Sequence, residues 1–178
     1  LMFRPLSELD DLHAIVVGCG LGSDADGHAA VSAVLARNAP LVADADALNL
    51  IAADAELQRR AIGRGAPLLL TPHPLEAARL LGCTASSVQA DRTAAARRLA
   101  EHFNCIAVLK GAGTVIARPD GHYAINPTGS AALATAGTGD VLAGMIGALI
   151  AQGHAAGCST QAAVWLHGGG AAGVGHIG

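Results

Sequence analysis

Aromatic side chains are scarce: one Trp, one Tyr and two Phe, 2% of 178 residues. The core must therefore be built from Ala, Val, Leu and Ile around closely approaching backbones. Charge is sparse as well, with 14% Asp, Glu, Lys and Arg and a formal net charge of −3. Basic residues cluster only as pairs such as Arg59-Arg60 and Arg97-Arg98, which leaves no electrostatic footprint for DNA or RNA. Cys19, Cys83, Cys105 and Cys158 lie far apart with no C-x-x-C pair, and no His stands at zinc-finger spacing. Neither a metal knot nor a dense disulfide scaffold is therefore suggested, and the four thiols read as small buried hydrophobes. His102, His122, His154, His167 and His176 have no mutual spacing that points to a metal. No window of 18 uncharged apolar residues occurs and no signal-like segment opens the chain, so the expectation is a cytoplasmic protein that does not enter a membrane. The P-loop pattern is missing too, so a bound nucleotide has to be held by another device.

What is present is a chain with 52% hydrophobic residues and 23 glycines, long enough for one domain over residues 1–178. It opens on Leu1 and already reads as mid-domain by Ile15, so an N-terminally incomplete domain is expected. Buried apolar runs at 14–18, 40–45, 67–71 and 105–111 alternate with helical patterns at 26–37, 45–53, 74–81, 87–102, 139–152 and 159–171. That rhythm predicts an α/β fold with a largely parallel sheet and helices on both faces. "TVIARPDGHYAIN" adds an antiparallel hairpin around Pro119-Asp120-Gly121 at one sheet edge. The Gly-rich tail from His167 reads as a helix end fraying into the terminus, and its two G-x-G-x-x-G matches follow no strand, so they are not dinucleotide fingerprints.

Four segments carry candidate chemistry. In "GCGLGSD", Gly18, Gly20 and Gly22 follow a strand, where the chain either turns tightly or lets a ligand approach the backbone. "VADADALN" places Asp44 at a strand end and Asp46 two residues on, a pair that caps the next helix or holds a magnesium-bound phosphate through water. In "LTPHPLEAARLLG", two prolines fix the backbone of His73, which aims the ring as a ligand contact at the expected cleft. "VLKGAGT" ends a strand on Lys110; Gly111, Ala112, Gly113 and Thr114 then offer open amides and a hydroxyl suited to nucleotide phosphates. Finally, "TAGTGD" starts a helix with Ala136, Gly137, Thr138 and Gly139 as an amide nest for an anion, and sets Asp140 beside it as a base.

In this order, "GCGLG", "LTPHPLEAARLLG", "VLKGAGTVIARPDG" and "NPTGSAALATAGTGDVLAGMIGALIAQG" resemble the ADP-dependent NAD(P)H-hydrate dehydratases, which have a ribokinase-like fold. The resemblance implies repair of the S epimer of hydrated NADH or NADPH, with ADP (or ATP) as co-substrate, AMP and phosphate as products, and Mg2+ at the diphosphate. It places nucleotide binding on Lys110 to Thr114 with Gly139, and hydrate binding on Gly22, His73 and Asp140. It also implies a homo-oligomer and, in many bacterial members, fusion to an epimerase domain. The family usually has proline where this chain has Cys19, and its N-terminal strand has no counterpart here. Competing readings are a kinase of the same fold acting on a thiazole or pyrimidine alcohol, and a non-catalytic nucleotide-binding module. The T-P-H-P-x-E segment favours the dehydratase.

Overall fold

The computed structural model describes residues 11–174. Four short strands, β1 (Ile15–Val17), β2 (Leu41–Ala43), β3 (Leu68–Leu70) and β4 (Ile106–Leu109), pair in parallel in chain order. Two more, β5 (Val115–Ala117) and β6 (Tyr123–Ile125), continue the sheet antiparallel, so the expected hairpin occupies the expected edge. Between the strands run α1 (Ala25–Leu35), α2 (Ala45–Ala53), α3 (Ala55–Ile62), α4 (Pro74–Leu81), α5 (Ala85–Ala90) and α6 (Arg92–His102), and after the hairpin come α7 (Thr138–Ala151) and α8 (Ala156–Val174).

The period-2 geometry of a strand divides the core into two layers. Leu41, Ala43, Leu68, Leu70, Ala107 and Leu109 point to one face, where they meet Val31, Leu48, Ile51, Leu57, Leu80 and Leu99 from α1 to α6. Val42, Leu69, Val108 and Ile116 point to the other, against Leu142, Ile146 and Ile150 of α7 and Val164 of α8. The second layer is closely packed because α7 lies on β1 through Gly147, where a Cβ would overlap the Val16 side chain.

Three expectations need correction. The helix predicted over 87–102 is two helices: Asp91, at φ −144° and ψ 87°, ends α5, and its carboxylate accepts from the Ala94 amide 2.8 Å away to cap α6. Helix α3 was missing from the sequence reading; Asp54 starts it by accepting from the amides of Glu56 and Leu57. The last helix is longer than the predicted 159–171, since α8 runs from Ala156 to Val174, while residues 175–178 of the tail lie outside those described. The cysteines differ as well. Only Cys105 is buried, whereas Cys19 and Cys158 are exposed. Among the described residues, no helix is long and apolar enough to cross a membrane.

Candidate active site

The carboxyl ends of four parallel strands converge on one place. Cys19 follows β1, Asp44 follows β2, His73 follows β3 and Lys110 follows β4. Open α/β sheets bind ligands at such ends because the strand-to-helix turns and helix N-termini are gathered there.

Asp44 is 1% exposed and has two local tasks. Its Oδ1 accepts from the Ala45 amide at 2.9 Å, which caps α2, and from Lys110 Nζ at 2.6 Å. Its Oδ2 is buried with no hydrogen-bond partner among the described residues. Gly139 closes over this pair: a Cβ there would lie 3.1 Å from Lys110 Nζ and 3.4 Å from Asp44 Oδ2. A larger residue would push α7 or the lysine away. Helix α7 starts on Gly137 at φ +87° with no side-chain cap; the Thr138 amide donates to the Thr135 carbonyl at 3.4 Å, which leaves the next amides of the first turn for another acceptor. Asp140, in that first turn, is exposed.

The Cys19 sulfur and an Asp140 carboxylate oxygen lie within 4.8 Å of each other. Burial first, then hydrogen bonding to Asp140 and the charges of Asp140 and Asp44, push the thiol up to about 11, so it stays protonated at neutral pH. Gly18, at φ +116°, makes the approach possible, because a Cβ there would overlap the Asp44 carbonyl. The neighbouring turn is pinned by Asp46, whose Oδ2 accepts from the Gly22 amide at 2.8 Å.

His73 is the N-cap of α4. Its Nδ1 accepts from the amides of Leu75 and Glu76 at 3.1 and 3.4 Å, while Glu76 Oε2 accepts from the His73 amide at 2.8 Å. The ring is therefore neutral at Nδ1, with its proton on Nε2, 3.3 Å from Glu76 Oε1. Burial, then the charges of Lys110 and Arg79, hold its pKa below the ordinary value. Glu76 itself is 4% exposed, and burial raises its pKa.

The loop after Lys110 is held from outside. Arg92 Nη2 donates to the carbonyls of Leu109 and Lys110 at 3.1 and 3.3 Å, and its guanidinium lies against Gly111. Thr114 Oγ1 donates back to the Gly111 carbonyl at 3.0 Å. Ala112 and Gly113 are exposed between them.

Lys110, Gly139 and Asp140 are thus brought together through Asp44 and Cys19. Gly22 is attached to the group through Asp46, and His73 reaches it through the field of Lys110 and Asp44. Of the nest, Ala136 and Gly137 are exposed and Thr138 and Gly139 half-buried; the Thr138 hydroxyl is already engaged with the Leu133 carbonyl at 2.8 Å. Sequence reasoning missed two residues. Asp44 was weighed only as a cap or an outer magnesium contact, although a lone acid at a buried strand end signals a charged partner. Arg92 left no signal, because its role depends on α6 starting beside the end of β4.

A family model for NAD(P)H-hydrate dehydratase matches residues 2–174. The ADP-dependent (S)-NAD(P)H-hydrate dehydratase of Neisseria meningitidis serogroup B is 49% identical over 166 residues, covering 92% of this chain and 55% of that protein. Among solved structures, the ADP/ATP-dependent NAD(P)H-hydrate dehydratase from Bacillus subtilis, co-crystallised with ATP/Mg2+, has a TM-score of 0.77 at 37% identity, covering 90% of this chain and 55% of that one. A ribokinase-like superfamily protein from Enterococcus faecalis V583 has a TM-score of 0.72 at 29% identity, covering 88% and 53%. This chain therefore spans about half the length of the relatives it matches. The strand-end lysine and aspartate, the glycine-led α7 and the sheet that aligns them are carried on a ribokinase-like fold, and the chain belongs to the NAD(P)H-hydrate dehydratase family.

Proposed function

We propose that this chain, as one ribokinase-like α/β domain, carries the site for ADP-dependent dehydration of the S epimer of hydrated NADH or NADPH. The observation that carries this reading is the buried Lys110–Asp44 pair directly under Gly139, with exposed Asp140 in the next position. Lys110 and the amides of 111–114 hold the nucleotide phosphates, and the uncapped start of α7 over 136–139 takes the charge of the transferred phosphoryl group. Gly22 and His73 face the hydrate, with the capping box keeping the His73 ring neutral and fixed.

Asp140 accepts the proton of the hydrate's hydroxyl as its oxygen bonds to the terminal phosphorus of ADP. The bond from that phosphorus to the bridging oxygen breaks, and AMP leaves. The ring nitrogen then pushes its electron pair toward the carbon that bears the new phosphate ester. Phosphate departs with the carbon–oxygen pair, and loss of a proton from the adjacent ring carbon restores the double bond. Hydroxide is a poor leaving group and phosphate a good one, which is the physical reason for consuming ADP. Asp44 Oδ2, a buried acceptor without a partner, fits an oxygen-seeking cation, so Asp44 would hold a magnesium ion that neutralises the diphosphate when bound.

Incubation of the protein with hydrated NADH and ADP is expected to restore the NADH absorbance and release AMP in equal amount. Absence of recovery, together with phosphate transfer from ATP to a thiazole or pyrimidine alcohol, would replace this reading with a kinase. ADP binding without turnover of either kind would replace it with a non-catalytic module.

A further inference from the structure

We propose that Cys19, Asp44 and Asp140 form a binding site for a thiophilic divalent cation such as Zn2+, distinct in its sulfur ligand from the oxygen-only magnesium contact, and that its occupancy switches the site off. One potential ligand atom from each of the three residues lies within 4.8 Å of the other two. Tetrahedral ligand atoms around zinc stand about 3.5 Å apart, so closure on an ion needs a contraction of roughly 1 Å. Cys19 and Asp140 sit on a glycine turn and a first helical turn, which allow such a shift more readily than a strand does. The fixed member is Asp44. It is 1% exposed, and its Oδ2 is buried without a hydrogen-bond partner among the described residues, while the Ala45 amide and Lys110 Nζ donate to Oδ1. An orphaned buried carboxylate oxygen costs free energy unless something occupies it.

Charge supports the same occupant. Asp44 and Asp140 contribute two negative charges and Lys110 one positive. Binding of M2+ replaces the Cys19 thiol proton, which leaves to solvent as the sulfur–metal bond forms. The group then holds three negative and three positive charges, counting the ion and Lys110. Sulfur selects zinc, cobalt or cadmium over magnesium, which prefers oxygen and water. The three protein ligands leave a fourth position open, as in a site that takes a water or a phosphate oxygen. With the ion bound, Asp140 is a ligand and no longer a free base. This last consequence rests on the role of Asp140 proposed above, whereas cation binding does not.

The test uses Co2+ as a spectroscopic probe on chelator-treated protein in magnesium buffer. A thiolate-to-cobalt charge-transfer band is expected in the wild type, displaced by Zn2+ and unchanged in Cys158→Ser, whose exposed thiol lies elsewhere. Cys19→Ser is expected to abolish the band, and Asp140→Asn to weaken it. Absence of the band in the wild type, or its survival in Cys19→Ser protein that still shows native circular dichroism, overturns the site. In the turnover assay, Zn2+ at about ten times its dissociation constant lowers the wild-type rate roughly tenfold, because occupied molecules lack their base. Cys19→Ser, normalised to its own zinc-free rate, is expected to be far less sensitive. Equal sensitivity of the two proteins overturns the switch. A cobalt band in a protein without hydrate turnover supports the metal site and overturns only the dehydratase reading. Turnover without a cobalt band does the reverse.

Discussion

Lys110 Nζ lies 2.6 Å from Asp44 Oδ1, although the two residues are 66 positions apart and end strands that are not neighbours. The lysine reaches across the end of β3 to the acid that caps α2. It is also the only lysine in the sequence, so this one ion pair uses the chain's whole supply of primary side-chain amines. Breaking it separates the folding role of the pair from the phosphate-binding role proposed for Lys110.

Lys110→Met leaves the Asp44 charge buried with no countercharge, and removal of one partner from such a pair costs about 3 kcal/mol. Adding Asp44→Asn removes the stranded charge and is expected to return roughly half of that loss. Urea unfolding followed by circular dichroism measures both. A single mutant as stable as the wild type would show that the pair behaves like an exposed one.

Asp140→Asn keeps the helix start and removes the proposed base. Turnover is expected to fall by roughly 10²- to 10⁴-fold while ADP affinity, measured by calorimetry, changes little. The same change removes a hydrogen-bond acceptor and a negative charge from beside Cys19, whose thiol stands at about 11. The thiol pKa then falls, so more thiolate is present at any pH below it. Faster alkylation of Cys19 in the variant, followed by peptide mass spectrometry, is the expected sign; unchanged alkylation would show that the two side chains do not meet in solution.

Gly139→Ala tests close approach. Alanine favours a helix by about 0.8 kcal/mol over glycine, but crowding the ammonium weakens its pair with buried Asp44, so stability is expected to fall by about 1 kcal/mol. Its methyl would meet Lys110 Nζ at 3.1 Å, displacing the ammonium, and ADP affinity is expected to fall about tenfold. Unchanged ADP affinity in a stable variant would place the phosphates away from this groove.

The pH dependence of His73 has a definite sign. Its folded pKa lies below the ordinary value, so the unfolded chain binds this proton at a pH where the folded chain does not. Its contribution is present above the unfolded value and is lost as pH falls through the folded value. His73→Asn keeps an N-cap acceptor and removes the titration. Between about pH 7.5 and pH 5.5, the melting temperature of the wild type is expected to drop relative to the variant. A constant difference across that range would show that the Nδ1 cap is not kept in solution.

Legibility differed from element to element for physical reasons. Helices α2 and α4 matched residue for residue, because Asp44 and the Pro–His–Pro run mark their starts through local capping chemistry. The strands were legible as apolar runs; β2 and β3 are buried on both faces as expected, whereas β1 is not, since Val16 is 41% exposed. Asp54 and Asp91 misled because each ends one helix and caps the next, which a hydrophobic period does not register. Within the site, Lys110 and Asp140 were legible as charges beside glycines at element ends, Gly139 among those glycines. The guanidinium clamp of Arg92 on the carbonyls of Leu109 and Lys110 was not, since it joins residues 17 and 18 positions apart through packing alone.

The sequence by itself determined the alternation of strands and helices, the hairpin at the edge and the glycine turns after β1 and β4, because periodicity, capping and backbone freedom act within a few residues. Only the tertiary structure decided that Asp44 pairs with Lys110 under Gly139 and that the Cys19 thiol stands beside Asp140. Those partnerships depend on strand order and on closing loops of tens of residues, and no local pattern in the chain encodes which ends meet.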